Sequence, residues 1–242
     1  MMHNEELLIS NLNHYYQLSL AVLKEFGGPS IYFHIQSIKE QRNNFLSDRH
    51  IEMIYATLAS WGMHRMGDPE DTKAKMVEFD DFKRAIISHK ESCERFLEKR
   101  WDNLNQNEYK DILSKLIDVY FGLRVSISES TIVAHSKTLA HIIPNLIPPI
   151  DRQYTVRFFT QENQDFFTNS GNYRLVNLPP EKDKQFNLFM QICLKMKNIF
   201  DKCDKNLFKI DDNSFNTSYP KIIDNLIMAF VKEFKKPKKR KR

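Results

Sequence analysis

The sequence predicts an all-α globular protein, and three observations carry that prediction. Apolar residues recur at helical spacing along nearly the whole chain. No segment sustains the apolar–polar alternation of a half-buried strand. Six Gly and nine Pro among 242 residues interrupt few helices, while 41% hydrophobic content, with eighteen Phe and nine Tyr, is enough to bury a sizeable core. The expected organisation is an all-α body over 1–234, which two helical lobes with a cleft between them would accommodate, followed by a disordered basic tail over 235–242.

The elements follow in order. A first helix from about Glu5 to Phe26 places Leu8, Leu12, Tyr15, Leu18 and Val22 on one face and stops at Gly27, Gly28 and Pro29. Ser30 is expected to cap a second helix beginning at Ile31. A third runs from about Asp48 to Met66 and carries no charge between Met53 and Met63, as suits a helix at the centre of the core. Gly67 to Glu78 reads as a loop, and Phe79 to Arg100 and Asn107 to Gly122 as amphipathic helices. Ser128 is placed to cap a helix from Glu129 to Ile143, which Pro144 closes. The polar and aromatic stretch from Thr160 to Pro180 reads as a long loop of the kind that binds something or covers a site. Helices from Glu181 to about Cys203 and from Tyr219 to Phe234 complete the body.

Charge is unevenly placed. Lys235, Lys236, Lys238, Lys239, Arg240, Lys241 and Arg242 are seven of the 36 basic residues, and without them 29 bases face 31 acids. Three readings of this run stand: a solubilising tail, a nuclear-import signal in a eukaryote, or a segment that attracts nucleic acid by releasing counterions. The three cysteines lack C-x-x-C spacing, and no disulfide framework, zinc site or iron–sulfur cluster is expected. The opening residues lack the apolar core of a secretory signal and no stretch reaches the roughly 18 apolar residues of a membrane span. A soluble, cytoplasmic protein is expected, or a nuclear one in a eukaryote, with no membrane partner.

Scattered histidines without H-E-x-x-H set metal chemistry aside, and no glycine-rich phosphate loop or G-x-S-x-G elbow occurs. No cofactor is expected. What remains is Ala134 to Thr155, where Lys137 sits mid-helix between His135, Ser136 and Thr138, and Asp151 follows a proline-broken apolar connector. Two readings of Asp151 stand. It caps the helix that follows, its carboxylate held by backbone N–H groups, or it serves as an ionised partner in chemistry.

The stretch "VAHSKTLAH…IPPIDRQYTVRF" (Val133 to Phe158) resembles the helix-hairpin-helix DNA glycosylases of the 8-oxoguanine and endonuclease III type, in which an aspartate follows a lysine. "IEMIYATLASWGM" (Ile51 to Met63) is similar to a buried helix of the same superfamily. The two segments cover about a sixth of the chain. The family's glycine-bearing hairpin is replaced here by "STIVAHS", no glycine occurs between Gly122 and Gly171, and the lysine-to-aspartate spacing is shorter than the family leads one to expect.

The resemblance implies a base-excision enzyme with DNA as partner and hydrolase or lyase chemistry. Lys137 would be the amine that attacks the sugar C1′, and Asp151 the carboxylate that stabilises the sugar cation. Trp61, His141, Phe158 and Phe159 would line the pocket of an everted base, although aromatics such as Trp61, Phe158 and Phe159 are more often simply core. Ser136, Arg152 and the basic tail would meet nucleic acid. The competing reading is a non-enzymatic α-helical module that binds nucleic acid or protein, with Lys137 solvated and Asp151 only a cap.

Overall fold

A computed structural model of the chain describes residues 3–25, 27–65, 75–127 and 131–235. Among these the protein is all-α: there is no strand, and the only β-type pairing is two isolated bridges, Met76 with Ser126 and Phe167 with Tyr173. Among the described residues, no helix is long and apolar enough to cross a membrane.

The expected first helix is two, α1 (Asn4–Ser10) and α2 (Leu12–Leu23). Asn11 divides them because its side-chain amide donates to the Leu7 carbonyl, competing with the helical ladder. Helix α3 (Pro29–Asn43) starts earlier than expected. Pro29 opens it from the first turn, where a missing N–H costs nothing, and Gly28 supplies the positive φ of the preceding residue.

Helix α4 (Asp48–Ser60), capped by the Ser47 hydroxyl, ends before Met66 because Gly62 adopts a left-handed φ of 84°. Ser30 donates to the Ser60 carbonyl, so the start of α3 lies beside the end of α4 and the two form an antiparallel hairpin. The early stop takes Trp61 out of the helix. Its indole N–H reaches back to the Ser30 carbonyl at 3.3 Å.

Further helices break where one was expected. Phe79 to Arg100 is α5 (Phe79–Ile87) and α6 (Lys90–Glu94), and the next stretch is α7 (Gln106–Lys115) and α8 (Ile117–Gly122). Asn105 caps α7, its side chain accepting from the backbone of Asn107 and Glu108. The basic residues Lys236 to Arg242, most of the 67–78 loop and the expected cap Ser128 lie outside the described residues.

Helix α9 (Thr131–Ile142) is buried along its whole length, more completely than α4, which was expected at the centre. It touches α3, α4 and α11 (Lys182–Lys202), while a short α10 (Arg157–Thr160) and α12 (Tyr219–Glu233) follow it and precede the chain end. Twelve consecutive residues of α12, Pro220 to Val231, are also buried. One apolar cluster runs from Leu8 to Val231 and draws on every helix except α3. The polar side chains of α9 are thereby forced to find partners inside the protein.

A cavity with two buried lysine–aspartate pairs as candidate functional site

The site follows from how α9 disposes of its polar groups. Thr138 donates to the Ala134 carbonyl within the helix. The Ser136 hydroxyl donates to the Val133 carbonyl and accepts the N–H of Ile150 at 3.0 Å. That second bond folds the proline-bent connector back along the helix and pairs positions 136 and 150. One residue further on, Lys137 therefore meets Asp151, with Nζ to Oδ2 at 3.1 Å.

Lys137 is only 7% exposed. The Asp151 side chain is 32% exposed, and its other oxygen, Oδ1, accepts the Gln153 N–H at 2.8 Å, so the residue is both an N-cap and an ion-pair partner. Burial acts to raise its carboxyl pKa. The Lys137 charge and hydrogen bond, with the backbone N–H groups of Gln153 and Tyr154, outweigh that and hold it below the usual carboxylate range.

The segment that Asp151 caps is a π-turn, Arg152–Val156, closed by a bond from the Val156 N–H to the Asp151 carbonyl at 3.0 Å. The wide turn places Thr155 inward, where its hydroxyl oxygen accepts the Asp151 N–H and its hydrogen goes to Asp224 Oδ1, each at 3.2 Å. Asp224 in turn accepts from Lys221 at 2.7 Å, and Lys221 also donates to Asn225 Oδ1 at 2.8 Å. A second buried lysine–aspartate pair is thus wired to the first through one threonine.

Both pairs line one cavity of about 370 Å³, together with Leu23, Ser30, Ser60, Trp61, Tyr154, Phe215 and Met228. That volume lies at the small end of ligand pockets, which run from roughly 300 to 1,000 Å³. The ammonium groups of Lys137 and Lys221 stand 5.7 and 5.5 Å from the centre of the Trp61 ring. His34 and His141 pack on the same indole, with ring centres 5.5 and 5.1 Å away.

The histidine hydrogens can be assigned from their partners. His141 Nδ1 faces the Lys137 carbonyl at 2.7 Å and must donate, so its Nε2 accepts from His34 Nδ1 at 3.0 Å, and His34 Nε2 accepts from the Thr217 hydroxyl. Both rings are neutral. Burial is the main cause of lowered pKa values, to about 3 for His141 and well below the usual range for His34.

The remaining predicted site residues are placed elsewhere. His141 is fully buried behind Trp61 and is not part of the cavity wall. Phe158 lies in the core, edge-on to Phe230 at 5.0 Å, and Phe159 borders a separate recess beside α1, with the Lys195 ammonium 5.5 Å from its ring. Ser136 is wholly buried, its hydroxyl engaged as described. Arg152 is exposed and donates through Nε to the Val176 carbonyl at 2.6 Å.

Lys235 sits over Tyr173, 5.5 Å from its ring, and the Tyr173 hydroxyl donates to that of Tyr154 in the cavity wall at 3.4 Å. The loop expected over Thr160 to Pro180 therefore borders the cavity through one tyrosine pair. It is pinned from beneath by buried Arg157, whose guanidinium donates to the carbonyls of Phe166 and Arg174. Phe166 and Phe167 are buried there and do not reach the cavity.

Sequence reasoning missed Lys221, Asp224, Tyr154 and Phe215. The signal available for the first two was their position at the start of a helix that is apolar on all sides, where a charge must be buried. Among the described residues, no group of three or more His, Cys, Asp or Glu is arranged to hold a metal ion. Comparison of the chain with family models, with curated proteins and with solved structures finds no match.

Proposed function

We propose that the protein is a DNA base-excision enzyme with lyase character, in which the cavity receives an everted nucleoside, Lys137 is the nucleophile and Asp151 its proton partner. The observation that carries this reading is the Lys137–Asp151 pair opening on a cavity beside Trp61. A buried ion pair contributes little to stability, because desolvation offsets its attraction. A lysine kept out of water at the wall of an aromatic hollow is better accounted for by chemistry.

The pair supplies a balanced proton inventory. A ligand that fills the cavity strips water from both charges, and transfer of the ammonium proton to Asp151 leaves a free amine and a carboxylic acid, both neutral. The amine attacks C1′, and the glycosidic C1′–N bond breaks with its electrons going to the base. The base leaves carrying the Asp151 proton, and the sugar-bound nitrogen, now cationic, faces a restored carboxylate. On an abasic sugar the same amine condenses with the C1′ aldehyde, forming an imine and releasing water. The basic run beginning at Lys235, two tyrosine rings from the cavity, is suited to holding the phosphate backbone nearby.

Borohydride reduction of a mixture of the full chain with a duplex bearing one abasic site tests the reading. A covalent protein–DNA adduct that disappears in Lys137→Met is expected, and its absence from the unaltered protein sinks the enzyme. The second reading, a non-enzymatic binding module, is favoured by the bond between Asp151 and Gln153, which explains the aspartate as a cap. It expects salt-sensitive DNA binding without any adduct.

A further inference from the structure

Asp151 has two tasks in the reaction proposed above: it takes the Lys137 proton, and it passes that proton to the departing base. Between the two its bond to Lys137 at 3.1 Å is given up. The carboxyl must stay in place without it. Asp151 is otherwise held by the Gln153 N–H on Oδ1, by the Val156 N–H on its main-chain carbonyl, and by the bond from its own N–H to the Thr155 hydroxyl. All three partners belong to one turn. Thr155 alone among them carries the hold beyond that turn, because its hydroxyl hydrogen reaches Asp224 Oδ1 on α12 at 3.2 Å.

Chemistry fixes the direction of this bridge. A backbone N–H can only donate and an ionised carboxylate can only accept, so a single atom between them must do both. A hydroxyl oxygen does. Thr155 is wholly buried and has no solvent to turn toward. On its far side Asp224 is fixed by Lys221 at 2.7 Å, and Lys221 is braced by Asn225, whose amide donates to Asn216 Oδ1 at 2.8 Å and to the Phe215 carbonyl at 3.3 Å. The second lysine–aspartate pair is an anchor.

We infer that Thr155 is a positioning residue, whose hydroxyl holds Asp151 in reach of Lys137 by tying it to the Lys221–Asp224 anchor. This rests on Lys137 and Asp151 being the reacting pair, and it gives the second pair a part in the same chemistry. A methyl in place of the hydroxyl would put carbon at two contacts of 3.2 Å, closer than the roughly 3.5–4.0 Å at which carbon packs. Asp151 and Asp224 would be pushed apart.

Thr155→Val and Thr155→Ala lack the hydroxyl, the second without adding bulk, and Thr155→Ser keeps it. Single-turnover borohydride trapping of the full chain on a duplex with one abasic site should show a maximal rate at least about tenfold lower in Thr155→Val and Thr155→Ala. The half-saturating DNA concentration should stay within about twofold, and Thr155→Ser should trap within about threefold of the native rate. Amide hydrogen exchange, read by NMR without DNA, follows the carboxylate itself, since the Gln153 N–H is bound to it. Exchange at Asp151 and Gln153 should quicken at least about tenfold in the two hydroxyl-free variants and no more than about threefold in Thr155→Ser.

Native exchange in the hydroxyl-free variants, a native trapping rate in them, a loss carried by the half-saturating concentration, or a Thr155→Ser as slow as Thr155→Val overturns the inference. Exchange that quickens as expected while the native chain traps no abasic DNA leaves the positioning in place and defeats the enzyme. Trapping that is indifferent to the hydroxyl does the reverse.

Discussion

Lys137 and Lys197 share three local properties. Both are buried, both donate to an aspartate, and both ammonium groups lie 5.7 Å from an aromatic ring, Trp61 for the first and Phe200 for the second. Asp201 is four residues from Lys197 on the same helix and also accepts from Gln106. Lys197 lies within α11 and is not in the lining of the cavity, whereas Lys137 is. Burial, a counter-ion and a ring are common to both lysines, and the adjoining hollow is what sets Lys137 apart as the candidate.

The widest separation expected between the two lysines is in reactivity. Lys137→Met should lower the rate of adduct formation on abasic DNA on the order of a thousandfold or more, as loss of a nucleophile does. Lys197→Met should leave that rate within about twofold. Equal losses in the two variants, read by single-turnover trapping, would show that the cavity confers nothing.

Asp151→Asn sharpens the contrast, since an amide oxygen still accepts from Gln153 and preserves the cap. It leaves Lys137 without its counter-ion. Because the Asp151 side chain is partly exposed, urea denaturation should show a loss smaller than the roughly 3–5 kcal/mol seen when a fully buried pair is broken. Adduct formation should fall about 10²- to 10⁴-fold. An unfolded variant would place Asp151 among structural residues only.

The pH dependence follows from the depressed Asp151 pKa. Its folded-state value lies below the unfolded one, so the stability it contributes is complete above the unfolded carboxyl pKa of about 3.9 and is lost as pH falls through the lower, folded value. The stability difference between the native chain and Asp151→Asn should therefore be flat above that range and shrink in more acidic solution. A difference that grows on acidification would contradict the pairing. The smallest effect belongs to Lys197→Met, expected to change stability by no more than about 1 kcal/mol because Asp201 retains solvent and Gln106.

The helical class was legible because apolar spacing persists along the chain, and the position of Asp151 at a helix start was legible from its chemistry. Helix breaks were not. Asn11 interrupts the first helix through one side-chain bond that competes with a pattern apolar on both sides of it. Lys221 and Asp224 stayed hidden because a lysine and an aspartate three apart on a helix have the spacing of an ordinary solvated pair. The apolar residues on every side of that helix were the one signal to the contrary, and the packing buries both. Phe158 and Trp61 pose the same difficulty in another form, since an aromatic in the core and one on a cavity wall look alike until the fold divides them.

The π-turn after Asp151 gives the cavity an adjustable rim. It holds one more residue per hydrogen-bonded loop than the regular helix that continues from it, so deleting Gln153 would let the ladder close at normal pitch and rotate whatever precedes Val156 about the axis by roughly 100°. Tyr154 and Asp151 would swing away from Trp61 together. The winding of five residues thus sets where Asp151 and Tyr154 meet the pocket, and a change in chain length there would reshape that wall without replacing either residue.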